Sequence, residues 1–266
     1  MVSIGVDMGA KNVKVVVLDD NAVIGKALVV AGFDTESALQ EALQTASGEA
    51  GIDHKEVSSI TATGAGRKDV PMASNELTEV GAAARGALFF FKDARTVIDV
   101  GAEEGRGVRF DAEGRVIDFV VNEKCAAGAG AFTEAMARAL EVPLEEFGLL
   151  SLESDREIPM NAQCAVFAES EVVSLVHAKT PKQDIARAVH DAIASRITSM
   201  VRRVGVEEQV ALVGGLAYNV GFIDSLKRDL ETDIHIPPDP EYAAAIGAAI
   251  VAAERGAKAS EGGENS

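Results

Sequence analysis

Two segments of the 266-residue chain open alike, each with an apolar run, an Asp, one apolar residue, a Gly and an Ala. They are Ile4-Gly5-Val6-Asp7-Met8-Gly9-Ala10 and Val97-Ile98-Asp99-Val100-Gly101-Ala102. With Asp7 set on Asp99, residues 14–19 fall over 106–111 and Ile24 falls over Val116. Both copies read as strand–turn–strand–turn–strand, because runs rich in Val, Ile and Leu alternate with Gly- and Asp-containing turns. Two unrelated meanders would share the common Asp-x-Gly turn, but not the register beyond it. The pattern therefore predicts two related halves of an α/β fold.

Around these copies the first half predicts strands over 3–7, 13–18 and 22–30, a helix over 35–50, and a strand over 57–63 running into Gly64-Ala65-Gly66. A helix over 77–91 closes it, with Phe89, Phe90 and Phe91 expected in the core. The second half predicts helices over 129–140, 166–177 and 181–204. The last carries Thr180 as its N-cap, Pro181 in its first turn and Gln183 two residues on. A strand over 209–213 passes through Gly214-Gly215 to a helix over 220–230, and a short strand over 234–236 is stopped by Pro237-Pro238. An Ala-rich helix over 243–255 has Gly247 at a close-packing position. The expected domains are 1–93, with part of the last helix packing back on it, and 94–255. The polar segment 256–266 is expected to be disordered.

Composition excludes several classes. A formal charge of −17 argues against nucleic acid or an anionic membrane as partner, since both need a basic footprint. No apolar run approaches the ~18 residues of a membrane span, and no basic region precedes an apolar stretch at the N-terminus. A cytoplasmic protein is expected. Aromatics are only 5%, without Trp, so the core is expected to consist of Val, Ala, Ile and Leu. Two cysteines in a reducing compartment are not expected to form a disulfide.

The candidate chemistry sits at the turns. A carboxylate ending a buried strand can hold a hydrated Mg²⁺ while turn N–H groups face phosphate oxygens, which selects Asp7 with Gly9, Ala10, Lys11 and Asn12. Lys11 would contact a β- or γ-phosphate as a point charge. In the second copy, Asp99, Glu103 and Glu104 could orient an attacking water beside Gly101 and Ala102. Gly214, Gly215 and Leu216, between a strand and a helix, allow backbone to approach adenine or ribose. Each turn taken alone reads as a structural hairpin. Cys125 and Cys164 each stand just before a predicted helix, where a thiolate is stabilised by the helix N-terminus. Taken alone, each also reads as an inert buried thiol.

In this order and spacing, the three Gly-containing elements resemble the nucleotide-binding motifs of the actin/sugar-kinase/Hsp70 superfamily, with its duplicated ribonuclease H-like fold. The Ala243-Ala244-Ala245-Ile246-Gly247 run resembles that fold's interdomain helix. The resemblance implies two domains that close over ATP·Mg²⁺. The segments Asn122-Glu123-Lys124-Cys125-Ala126-Ala127-Gly128-Ala129-Gly130 and Asn161-Ala162-Gln163-Cys164-Ala165-Val166-Phe167-Ala168-Glu169-Ser170-Glu171 narrow the likeness. They resemble the cluster-binding segments of the ATPase/activator family of benzoyl-CoA reductase and 2-hydroxyacyl-CoA dehydratase. That likeness implies one [4Fe-4S] cluster shared by two subunits, with Cys125 and Cys164 supplied by this one. It also implies a homologous ATPase subunit in a heterodimer, or a homodimer if the chain is an activator. Catalytic acyl-CoA reductase subunits and a ferredoxin-like electron donor complete the implied partners. Activators carry a Gly-Gly-Gln-Asp-like second loop, whereas this chain has Gly101-Ala102-Glu103-Glu104-Gly105-Arg106. That departure draws the chain toward the delta-type ATPase subunit of benzoyl-CoA reductase, with a dehydratase activator as the alternative. A small-molecule kinase of the same fold would need a sugar pocket with a general-base Asp and would not need both cysteines, while the acidic tail lends some support to a nucleotide-sensing module.

Overall fold

The computed structural model describes residues 1–122, 130–160 and 165–263. The chain divides into two compact units. One holds Met1–Lys92, the short stretch Ala112–Val116 and the chain from Tyr242 onward; the other holds Asp93–Asp111 and Ile117–Glu241.

The first unit is built on a five-stranded sheet of β1 (Val2–Met8), β2 (Asn12–Asp19), β3 (Ala22–Val30), β4 (Ile60–Thr63) and β5 (Asn75–Glu76), in the order β3-β2-β1-β4-β5. β1 pairs antiparallel with β2 and parallel with β4, and β2 pairs antiparallel with β3. The parallel return needs a crossover, which is α1 (Thr35–Ala50). Asp34 caps α1, its side chain accepting from Ser37 N at 3.0 Å, and left-handed Gly51 ends it. α2 (Glu79–Phe90) and the final helix, α8 (Ala243–Gly263), complete the unit. β1 is buried on both faces, which explains its nearly unbroken apolar run. Ile4, Val6, Val13 and Val15 form one core with Leu39 and Leu43 of α1. Val16 and Leu18 form another with Ala245, Ile246 and Ala249 of α8. The two long helices meet at small residues: a Cβ on Gly247 would stand 2.1 Å from the Ala82 carbonyl oxygen.

The second unit repeats the plan with β6 (Thr96–Val100), β7 (Gly105–Phe110), β8 (Val116–Asn122), β9 (Val210–Val213) and β10 (Ile234–His235), in the order β8-β7-β6-β9-β10. β6 is antiparallel to β7 and parallel to β9, as β1 is to β2 and β4. The register is shared as well, with Asp7 opposite Lys14 and Asp99 opposite Arg106. Among the described residues, four α-helices stand between β8 and β9: α3 (Gly130–Ala139), α4 (Leu144–Ser151), α5 (Ala165–His177) and α6 (Lys182–Val201). α7 (Val220–Leu230) joins β9 to β10.

The structure departs from the sequence expectations in several places. Phe89, Phe90 and Phe91 are half-buried rather than core; Phe89 and Phe90 lie edge to face, 5.1 Å apart, at the rim of the α8 core. The aromatic core belongs to the second unit instead, where Phe110, Phe132, Phe147 and Phe222 are fully buried. β4 starts only at Ile60, because Asp53 caps a single 3-10 turn, His54–Glu56, ahead of it. Pro181 is extended (φ −54°, ψ 139°) and stands before α6 rather than in its first turn. α8 continues to Gly263 through the segment expected to be disordered. Ala257 and Lys258 favour helix, and Gly256 packs where a Cβ would meet the Ser59 hydroxyl at 2.1 Å. Among the described residues, no helix is long and apolar enough to cross a membrane.

Candidate functional site

In the first unit the site grows from the end of β1. Asp7 is buried, and the Lys14 ammonium, its cross-strand neighbour, donates to Asp7 Oδ2 at 2.7 Å. The turn between β1 and β2 is closed by Gly9 N donating to the Asn12 carbonyl at 3.1 Å, and Ala10 and Lys11 are exposed at its tip. The Lys11 carbonyl accepts from Ala31 N at 2.9 Å, tying the turn to the end of β3. On the other side of Asp7, β4 ends in Gly64 at φ +90°, a backbone region open chiefly to glycine. A Cβ there would lie 2.5 Å from the Met8 carbonyl oxygen and 2.7 Å from Asp7 Oδ1. The carboxylate thus spans three strands, with one oxygen on the cation of β2 and the other over the glycine that ends β4.

The second unit repeats the arrangement. Asp99 is buried, and Arg106 Nη1 donates to its Oδ2 at 3.1 Å while Nη2 bonds Glu104. Gly214 ends β9 at φ +87°, and its absent Cβ would lie 2.4 Å from the Val100 carbonyl oxygen and 2.7 Å from Asp99 Oδ1. Gly101 N closes the turn onto the Glu104 carbonyl at 2.9 Å, and Glu103 is exposed. Gly215 opens a 3-10 turn, Gly215–Tyr218, with open space where its Cβ would be, whereas Leu216 is buried. Backbone bonds also tie this second turn to a helix. The carbonyls of Gly101 and Ala102 accept from Gly130 N and Ala131 N at 2.9 and 2.8 Å, so they bind the first two N–H groups of α3.

Three residues in this arrangement carry no role in the sequence reading: Lys14, Arg106 and Gly64. The signal was present in the repeat, since Lys14 falls over Arg106 when the aspartates are aligned. Cys125 and Cys164, the expected cluster ligands, lie outside the described residues. Among the described residues, no group of three or more His, Cys, Asp or Glu side chains could hold a metal ion. The two Asp-containing turns fit Mg²⁺-nucleotide chemistry. Each offers a carboxylate paired with a cation, a tight turn, and a notch where a side chain would collide with the carboxylate.

The sequence profile of the BadF/BadG/BcrA/BcrD ATPase family matches residues 4–252. The chain belongs to this family. It is 36% identical to the activator of lactoyl-CoA dehydratase of Anaerotignum propionicum, over 97% of this chain and 100% of that one. Similarity to one of the subunits of benzoyl-CoA reductase of Thauera aromatica is 32% identity over 78% of this chain and 75% of that one. The solved activator of the 2-hydroxyisocaproyl-CoA dehydratase from Clostridium difficile, with bound ADPNP, superimposes with a TM-score of 0.91 at 32% identity. That match covers 98% of this chain and 97% of the activator. A glucokinase of the ROK family from Streptomyces griseus shares the fold, with a TM-score of 0.63 at 15% identity. The fold is the actin/sugar-kinase/Hsp70-like one expected from the repeated turns. Within the family, whole-chain similarity favours the dehydratase activators, the alternative in the sequence reading. The second-loop variation that drew the chain toward the reductase involves only a few residues.

Proposed function

We propose that this ATPase family member activates a 2-hydroxyacyl-CoA dehydratase, hydrolysing ATP to drive electrons into it from a [4Fe-4S] cluster shared by two subunits. The mirrored Asp–cation–glycine arrangement carries the nucleotide part of this reading. Asp7 would hold a hydrated Mg²⁺, which would neutralise phosphate charge, and the turn from Gly9 to Asn12 would offer N–H groups to phosphate oxygens. Lys11 and Lys14 offset phosphate charge that the acidic chain would otherwise repel. Asp99, Glu103 and Glu104 orient the water that attacks the γ-phosphorus, and the ADP oxygen leaves opposite it. Arg106 holds Asp99 and Glu104 together, so exposed Glu103 is the carboxylate best placed to take the proton. Gly214, Gly215 and Leu216 bound the nucleoside.

The cluster would be held by Cys125 and Cys164 with the same pair from a second subunit, and it would supply low-potential one-electron chemistry. Two features of the described residues support a subunit interface there. β8, which leads into the Cys125 segment, exposes Ile117 and Phe119; α5, which follows Cys164, leaves Phe167 68% exposed. The hydrogen bonds that the Gly130 and Ala131 N–H groups donate to the Gly101 and Ala102 carbonyls link this turn to the helix that follows the Cys125 segment.

Reconstitution tests the proposal. Anaerobically purified protein, Mg·ATP and a one-electron reductant are added to an inactive 2-hydroxyacyl-CoA dehydratase, and 2-enoyl-CoA is measured. ATP-dependent product formation is expected. A second reading, electron delivery to a benzoyl-CoA reductase, draws on the Glu103-Glu104 loop. It would instead give a dearomatised benzoyl-CoA with reductase catalytic subunits.

A further inference from the structure

Beside a different cation, the matched aspartates also differ in the residue that faces each of them across the parallel ladder. In the parallel ladders, Asp7 is opposite Thr63 and Asp99 is opposite Val213. Thr and Val have nearly the same shape, so the first half carries a hydroxyl where the second carries a methyl. The Thr63 side chain is fully buried, and its Oγ1 has no hydrogen-bond partner. A buried hydroxyl without a partner is unfavourable, and although Ser47, Thr61, Thr133 and Thr198 share that state, Thr63 is the one that faces a site carboxylate across a ladder. Residues facing each other in a sheet bring their side chains to the same face, within reach of one another. Asp7 Oδ1 already leans to this side, since it stands 2.7 Å from where a Gly64 Cβ would be. Its other oxygen is engaged by Lys14.

We propose that Thr63 is a positioning residue for Asp7. When Mg²⁺-nucleotide draws Lys14 toward the phosphates, the Thr63 hydroxyl turns and donates to the carboxylate, holding it toward the hydrated metal. Val213, opposite Asp99 on β9, offers no such donor, and the Arg106 guanidinium donates to Asp99 through Nη1 and to Glu104 through Nη2. The hydroxyl thereby assigns the metal-facing role to the first half. This inference rests on the nucleotide reading above.

The test is ADPNP binding by calorimetry, with Mg²⁺ and with EDTA, for the wild type, Thr63→Val, Thr63→Ser and Thr61→Val. Thr61, two residues earlier on β4, also has a fully buried hydroxyl without a partner, but its ladder partner is Gly5, so it is the matched control. Thr63→Val should bind about tenfold more weakly in Mg²⁺, as for loss of one hydrogen bond to a charged group, and be unchanged in EDTA. Its melting midpoint should be unchanged or raised. Thr63→Ser should retain binding, and Thr61→Val should match the wild type. Unchanged binding by Thr63→Val in Mg²⁺, equal loss in Mg²⁺ and EDTA, or equal loss in both Val variants would each overturn the proposal. A wild type that binds no ADPNP would overturn the nucleotide reading itself, and this inference with it.

Discussion

At the scale of single residues, the site is defined by what surrounds two carboxylates. Gly64 and Gly214 occupy left-handed backbone against Asp7 and Asp99. Gly64→Ala and Gly214→Ala each place a Cβ less than 3 Å from a carbonyl oxygen. Each should destabilise its unit by about 1–3 kcal/mol and sharply weaken ADPNP binding, as read by denaturant unfolding and calorimetry. His190 gives a second prediction, about acid. It is buried in the second unit against Phe147, with Nδ1 2.7 Å from the Ala186 carbonyl oxygen and Nε2 without a partner. Burial pushes its pKa from 6.5 down to about 4, although the Ala186 bond opposes the shift. The unfolded chain therefore takes up the proton first. The stability this group contributes is complete above pH 6.5 and is lost as pH falls toward 4, by about 3 kcal/mol in all. Unfolding free energy of the wild type should decline over that window more steeply than that of His190→Met. The residues behind these effects were unevenly legible in sequence. The aspartates announce themselves by repetition, whereas Lys14 is hidden inside a buried strand. Its alignment over Arg106 hints at a role that its ladder position opposite Asp7 makes plain, but a reading by turns selects exposed Lys11 instead.

At the scale of elements, the strands were more legible than the short helices. β1 to β3 and α1 follow from unbroken apolar runs and clear caps, and their observed bounds fall within two residues of expectation. α4 was missed because eight residues carry too little periodicity and its cap residue, Pro143, makes no side-chain bond to announce it. Thr180 suggested a cap that the structure places differently, because the extended Pro181 delays the helix by one residue. Two element-level predictions follow the contacts. Gly247→Ala would drive a methyl into the Ala82 carbonyl and separate α2 from α8, at about 2 kcal/mol or more of unfolding free energy. Ala131→Pro removes an N–H that bonds the second phosphate turn, while proline remains tolerated in the first turn of a helix. ATP hydrolysis by this variant should persist while its coupling to dehydratase activation falls, measured as ATP consumed per product formed.

At the scale of the whole molecule, two units with the same strand order and the same register at their aspartates are the mark of a duplicated nucleotide-binding fold. The family match sets the chain among ATPases of this fold, and the proposed cluster rests on the two cysteine segments, which lie outside the described residues. The central claim is that the ATPase carries half of a shared iron–sulfur centre. Iron analysis of anaerobically purified dimer tests it directly. A brown protein with about four iron atoms per dimer is expected, with Cys164→Ala colourless yet still binding ADPNP. A colourless, iron-free wild type that hydrolyses ATP would contradict it.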